Sequence, residues 1–368
     1  CSTMGVQMTY CNLVTEEIRR FEEVFSMVDL ENWFYTLIEQ YTKWADFQYD
    51  WHRCMVESVR QLEFPYAYRT GQKELAQDVY RTILREKTLF IQAPTGTGKT
   101  LSVIYPAVKA AGEDVVEKIF YLTAKTVTGT VAKETLELFA QKGSRLKVMC
   151  ITAKEKLCLC DEMACDPLHC ACAKGHYDRV NDAVFALLQK ADFFSRELLL
   201  AQAEEYQVCP FELCLDTAVW CDVIICDYNY VFDPNVRLKR LFAEGLNGDY
   251  LFLVDEAHNL VERGRNMYSA QLCKEEILAV KKLFPDKTNR VVKQLERCNK
   301  LLLEYKRTCD TCHVYREELT GLLFALMRLA ENLDLVLQSP AELPSRTEIT
   351  ELYLNLRNFL RVYDVLDD

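Results

Sequence analysis

The run that most constrains this chain is Ala93-Pro94-Thr95-Gly96-Thr97-Gly98-Lys99-Thr100, set between a strand-like segment, Thr88–Gln92, and an apolar helix predicted over Leu101–Ala111. Strand, glycine-rich loop and helix in that order make a cradle for phosphate. Gly96 and Gly98 let the backbone curl so that its N–H groups and the helix N-terminus face an anion. Lys99 adds a positive charge near the β- and γ-phosphates, and Thr100 offers its hydroxyl to Mg²⁺. Ala93 stands where such loops usually begin with glycine, which is tolerable if its φ is below zero. ATP with Mg²⁺ is the expected ligand.

The surrounding pattern is α/β. Apolar runs rich in Val, Ile and Phe at Lys118–Thr123, Lys147–Ile151, Asp222–Cys226 and Tyr250–Val254 join Thr88–Gln92 as predicted buried parallel strands with crossover helices. The last of them delivers Asp255-Glu256-Ala257-His258 at its carboxyl end. An acidic pair after a strand is usually a solvated turn or a helix cap. With Lys99 upstream it supplies what the loop lacks: Asp255 to hold Mg²⁺, Glu256 to orient and deprotonate an attacking water.

Asp255-Glu256-Ala257-His258 resembles the DEAH box of superfamily 2 helicases, and Tyr68-Arg69-Thr70-Gly71-Gln72 resembles the R-x-G-Q element of their XPD/DinG-like branch. Thr123-Ala124-Lys125-Thr126 falls where that branch has motif Ia, and Cys226-Asp227-Tyr228-Asn229-Tyr230 resembles its segment before the DEAH strand. The resemblance implies a RecA-like, parallel-sheet P-loop NTPase domain. It puts Arg69 and Gln72 near the nucleotide, Gln72 by the adenine, and motif Ia on the DNA backbone. His258 would link the state of the ATP site to a second motor domain. Thr123–Thr126 also reads as an ordinary polar loop.

Seventeen cysteines in a long, charged chain with nothing resembling a signal peptide suit a reducing cytoplasm better than a disulfide scaffold. Cys158, Cys160, Cys165, Cys170 and Cys172 crowd together and Cys209-Pro210 follows after a helical stretch predicted over Asp178–Lys190. Such crowding points to metal. Paired C-x-x-C spacings, which zinc favours, are missing here, and separated thiolates closed by Cys-Pro suit an iron–sulfur cluster. The XPD/DinG-like helicases insert a four-cysteine [4Fe–4S] domain between motif Ia and the DEAH box. By that resemblance, including the C-x-P-x-x-C form of Cys165–Cys170 in a bacterial branch, Cys158, Cys165, Cys170 and Cys209 are the implied ligands. Cys160 and Cys172 are alternates if the register is shifted. Cys150, Cys214, Cys221 and Cys226 read as core thiols. Cys309 and Cys312 form a C-x-x-C expected on a helix.

A net charge of −11 argues against coating nucleic acid by bulk attraction and leaves room for a local basic groove. No apolar run reaches the roughly 18 residues that span a bilayer. The expected map is 1–62, a strand pair (Gly5–Asn12, Glu16–Phe21) and an amphipathic helix over Leu30–Leu62; 63–157 and 215–268, the ATP-binding domain; 158–214, the iron–sulfur insertion; and 269–368, an all-α, arch-like insertion. Helices are predicted there at Glu275–Phe284, Asn289–Tyr305, Tyr315–Leu335 and Glu348–Leu366. Residues 1 to about 60 also resemble the tail of a RecB-like PD-(D/E)XK nuclease domain, though no D…(D/E)-x-K set is present; a helical linker is the other reading. The sequence, beginning at Cys1 and stopping within a helical pattern, is read as part of something longer that supplies the second motor domain. The implied activity is ATP-dependent, 5′-to-3′ unwinding of DNA in a bacterial cytoplasm, with single-stranded or forked DNA as partner. A nuclease–helicase fusion and a redox-sensing DNA-binding protein with vestigial ATPase are the rivals.

Overall fold

A computed structural model describes residues 2–13, 15–94, 96–124, 126–160, 165, 170–243, 245–286, 289–316, 318–338, 343 and 345–366. They fall into two compact units, Cys1–Val231 with Arg237–Glu256, and Phe232–Val236 with Ala257–Asp368.

The first unit opens with strands β1 (Thr3–Cys11) and β2 (Ile18–Ser26), an antiparallel pair longer than the alternation suggested. Ser26 then ends the strand and starts a helix at once. Its hydroxyl accepts from Asp29 N at 3.1 Å while the Asp29 carboxylate accepts from Ser26 N at 3.3 Å, a reciprocal cap that saturates two otherwise orphaned donors. The helix runs from Met27 to Arg60, 34 residues. Its first half is open to solvent at Trp33, Leu37 and Tyr41, whereas Met55, Val56 and Val59 enter the core below the sheet.

That sheet holds, among the described residues, β3 (Lys118–Thr123), β4 (Val148–Cys150), β5 (Phe193–Phe194), β6 (Val223–Asp227) and β7 (Tyr250–Val254). The order is β5-β4-β6-β3-β7 and every pair is parallel. Helices Lys99–Ala111 and Thr126–Gln141 contribute Ile104, Ala107, Leu136 and Phe139 to one core with Ile119, Tyr121, Val148 and Val223. Four of the five expected strands are thus present. Thr88–Gln92 is not: it is irregular chain outside the ladder, with Leu89 and Ile91 exposed and Phe90 at 88%. A fully apolar strand gains by joining a parallel sheet only when both its faces are covered, and here its side chains meet solvent.

The amino ends of the strands are locked by charge. Asp222, just before β6, accepts from Trp51 Nε1 at 3.1 Å and from Lys147 N at 2.7 Å. The nearly buried Lys147 ammonium donates to Leu188 O (2.6 Å), Ala191 O (2.7 Å) and Asp192 Oδ1 (2.9 Å), and Arg145 closes on the other Asp192 oxygen. Trp51 on the long helix lies under this network, with Lys147 Nζ 4.0 Å from its ring centroid.

The second unit carries helices Lys274–Leu283, Arg290–Arg307, Thr320–Gln338 and Arg346–Asp364, close to the predicted spans. Their three-and-four spacing buries Ile277, Leu295, Leu326, Leu329 and Leu352 in a core of their own. Cys309 and Cys312 lie beyond the helix rather than on it. The Thr308 hydroxyl donates back to Tyr305 O at 2.8 Å and closes the last turn before the first cysteine. No helix among the described residues is long and apolar enough to cross a membrane.

Candidate nucleotide and cysteine sites

The loop after Thr88–Gln92 turns as its glycines require. Gly96 and Gly98 have φ of 80° and 76°, left-handed values that only glycine adopts without cost, and Gly98 opens helix Lys99–Ala111. Ala93 is not among the positive-φ residues, so the missing first glycine costs the loop nothing. Pro94 O accepts from Thr97 Oγ1 at 2.9 Å, and Lys99 Nζ donates to Ala93 O at 2.9 Å, curling the lysine back over its own loop. Thr95 lies outside the described residues.

Arg69 and Gln72 grip this loop through its backbone. Arg69 Nη1 donates to Gly96 O at 2.7 Å; Gln72 Nε2 donates to Thr97 O at 3.1 Å while its Oε1 accepts from Arg69 N at 2.8 Å. Gly71, at φ 80°, starts the helix Gln72–Leu84 and so aims Gln72 inward.

At the carboxyl end of β7, Asp255 N donates to Leu122 O at 2.9 Å, which fixes the acidic turn beside β3. Burial, and next the charge of Glu256, push the Asp255 carboxyl above its ordinary range; the Glu256 N–H, Lys99 and Tyr121 pull it back. Tyr121, on β3, hydrogen-bonds the side chains of both Thr100 and Asp255, and burial drives its phenol well up. Thr100 and Asp255 are therefore joined through Tyr121 at the carboxyl ends of the strands, with the Lys99 charge acting on Asp255. Glu256 is exposed and left-handed at φ 50°, and His258 sits exposed in a short 3₁₀ turn, Ala257–Asn259. Two tyrosines lie behind the acidic pair: Tyr121, which reads in the sequence as one more apolar strand residue, and Tyr228, which the sequence marks only as part of the segment before the DEAH strand, without its hydrogen bonds to the Asp255 and Glu256 carbonyls.

The cysteines of the insertion also converge. Cys160 Sγ lies 3.8 Å from Cys170 Sγ, and the Cys160 thiol is pushed up to about 11, first by its hydrogen bond with Cys170, then by that thiol's charge, with Cys158 and Cys172 adding. Cys172 is raised by burial first, and then by Cys170, Cys209 and Cys158. Cys165 is exposed and hydrogen-bonded to Lys154. His176 Nδ1 accepts from Cys209 N at 3.3 Å, a contact that no spacing rule suggested. Among the described residues, no three His, Cys, Asp or Glu side chains are arranged to hold a metal ion. Asp166, Pro167, Leu168 and His169, within the C-x-P-x-x-C run, lie outside the described residues, as does Lys125 of the motif Ia segment.

A parallel five-stranded sheet flanked by helices, with a glycine loop and an acidic turn near one end, defines an α/β protein. Residues 123–277 match the DEAD_2 family model. The chain is 21% identical over 346 residues to a Regulator of telomere elongation helicase 1 homolog of Caenorhabditis briggsae, covering 77% of this chain and 34% of that protein. It is 36% identical over 67 residues to the General transcription and DNA repair factor IIH helicase subunit XPD/RAD3 of Saccharomyces cerevisiae, covering 18% and 8%. A solved structure titled XPD_Helicase shares 17% identity at a TM-score of 0.49, over 81% of this chain and 50% of the other. The chain thus spans about a third or less of the length of these two curated relatives, and its sequence likeness is to XPD-like helicases.

Proposed function

We propose that this chain is the ATP-binding half of a DNA helicase of the XPD/DinG-like, DEAH-box branch of superfamily 2, acting 5′-to-3′ on single-stranded or forked DNA. The observation that carries the reading is the gathering of Thr100 and Asp255 on Tyr121, with the Lys99 charge acting on Asp255, in a chain whose relatives are helicases. In this reading the loop's N–H groups hold the phosphates, and Lys99 leaves Ala93 O to meet them. Thr100 and Asp255 would hold Mg²⁺, which when bound would supply positive charge against the phosphates. Glu256 orients the attacking water and takes its proton. His258 passes the state of this site to a second motor domain, and Thr123–Thr126 contacts the DNA backbone.

We also read the cysteine insertion as a [4Fe–4S] site held by Cys158, Cys165, Cys170 and Cys209. Soft thiolates crowded within one segment suit such a cluster, which would add folding energy to the apolar packing of Leu187, Leu199 and Leu213. Cys160 and Cys172 belong to the same group of thiols.

The test is ATP hydrolysis by the full-length protein with and without single-stranded DNA, beside Lys99→Ala and Glu256→Gln. Stimulation by DNA that both variants abolish is the expected result; hydrolysis indifferent to DNA would remove the helicase reading. Iron and sulfide analysis of anaerobically purified protein, beside Cys209→Ser, tests the cluster. About four irons per chain, lost in the variant, are expected, and zinc in their stead would overturn it.

A further inference from the structure

Strand β6 ends at Asp227, and the next residue, Tyr228, is fully buried. Its backbone N–H donates to Thr123 O, the last residue of β3, at 3.3 Å. Its hydroxyl donates to Asp255 O and, at 3.1 Å, to Glu256 O. One residue thus ties the end of β3, where the Thr123–Thr126 segment begins, through its backbone, to the acidic pair's carbonyls, through its side chain.

Glu256 needs such a tie. It is a non-glycine residue at φ 50°, a conformation that costs on the order of 1 kcal/mol or more and persists only where its surroundings impose it. Both carbonyls of the turn point at the phenol, and the Glu256 N–H is taken by the Asp255 carboxylate. If the phenol let go, the peptide after Asp255 could relax toward ordinary φ, swinging the Glu256 carboxylate while Asp255 stayed on Leu122 O.

We propose that Tyr228 is a positioning residue for hydrolysis: by holding the Asp255 and Glu256 carbonyls it keeps Glu256 in the left-handed conformation that aims its carboxylate at the attacking water. The role rests on the functional reading above, in which Glu256 handles that water. Binding of nucleotide and Mg²⁺ belongs to Lys99, Thr100 and Asp255, so Tyr228 governs turnover and leaves affinity alone.

The experiment is a cycle in the full-length protein of Tyr228→Phe, Glu256→Gln and the double variant, measuring DNA-stimulated ATP hydrolysis and binding of a fluorescent ADP analogue with Mg²⁺. Tyr228→Phe is expected to lower kcat about tenfold or more with KM and analogue affinity within about twofold, and the double variant to be no slower than Glu256→Gln alone. Wild-type kcat in Tyr228→Phe, or a loss that multiplies with that of Glu256→Gln, would overturn the role. Should Tyr228→Phe fail to bind the analogue, 3,5-difluorotyrosine at 228 keeps the ring's shape and acidifies the hydroxyl. Its kcat is then expected to fall at alkaline pH where wild type still turns over, because a phenolate cannot donate, and an unchanged profile would overturn the role equally. Absence of DNA-stimulated hydrolysis in the wild type is a different result, for it removes the functional reading and this role with it.

Discussion

Gly98 and Gln72 are in contact so close that a single methyl group on Gly98 would overlap the Gln72 amide nitrogen, the atom that donates to Thr97 O. The loop's second turn is therefore shaped by the helix packed against it as well as by its own backbone.

Gly98→Ala is expected to weaken nucleotide binding at least tenfold, because the new methyl both strains φ 76° and evicts Gln72 from the loop. Gly143→Ala is the control. Gly143 also has positive φ, but nothing lies within 4 Å of a methyl there, so it should cost about 1 kcal/mol of stability and leave binding intact. Titration with a fluorescent ADP analogue reads both, and equal affinities in the two variants would exclude the Gln72 contact as the cause.

The raised Asp255 carboxyl makes Mg²⁺ and proton compete. A carboxyl raised by folding adds stability that is complete below its unfolded-chain value and is lost as pH climbs through the folded value. Mg²⁺ takes the ionised form, so Mg²⁺-dependent nucleotide binding should weaken as pH falls through that same range. The window lies above the ordinary carboxylate value of about 4. Asp255→Asn should flatten this dependence, and calorimetric Mg²⁺ titrations that are pH-independent in the wild type would rule the competition out.

Much of this arrangement is legible in the sequence because it is local. The glycine turn, the acidic pair at the end of an apolar strand and the four late helices each carry their own pattern within a few residues. What escapes is long-range. Tyr228 meets Asp255 across 27 residues and Trp51 meets Asp222 across 171, and no window holds both partners. Thr88–Gln92 misleads for the same reason: its apolar run is a true strand pattern, but pairing and cover must come from elsewhere in the chain. The expected placement of Cys309 and Cys312 on a helix missed the closing hydrogen bond from Thr308.

Asp192→Asn is expected to cost about 2 kcal/mol of folding stability at neutral pH, since the nearly buried Lys147 ammonium would lose its carboxylate partner while the site keeps some exposure to water. Burial alone would raise the Asp192 carboxyl, but hydrogen bonds from Arg145 and Lys147 outweigh it and hold the group low. Stability from this source is present above the unfolded-chain value and lost as pH falls through the depressed one. Urea midpoints across acid pH should therefore fall less steeply in the variant than in wild type; parallel curves would contradict the assignment.

Thiol labelling should sort the cysteines by burial. Cys11, Cys165 and Cys312 are exposed and should react first in native protein held under reducing-agent-free, anaerobic conditions. Cys214 and Cys298, each pushed by burial up to about 12, and the buried Cys221 and Cys226 should react only on unfolding. If an iron–sulfur cluster is bound, Cys165 drops out of the fast group, so mass-spectrometric counts with and without iron chelation test the ligand set. Rapid modification of Cys214 would contradict the described core.

The locked amino ends of the strands lead to one more conclusion. Ion pairs and the Trp51 indole clamp that rim, while the glycine loop, Asp255 and Tyr228 gather at the opposite rim. Genetic lesions should segregate accordingly: changes at Lys147 and Asp222 lower the amount of protein a cell retains, and changes confined to the Glu256 carboxylate or the Tyr228 hydroxyl leave abundance normal and the protein slow or idle.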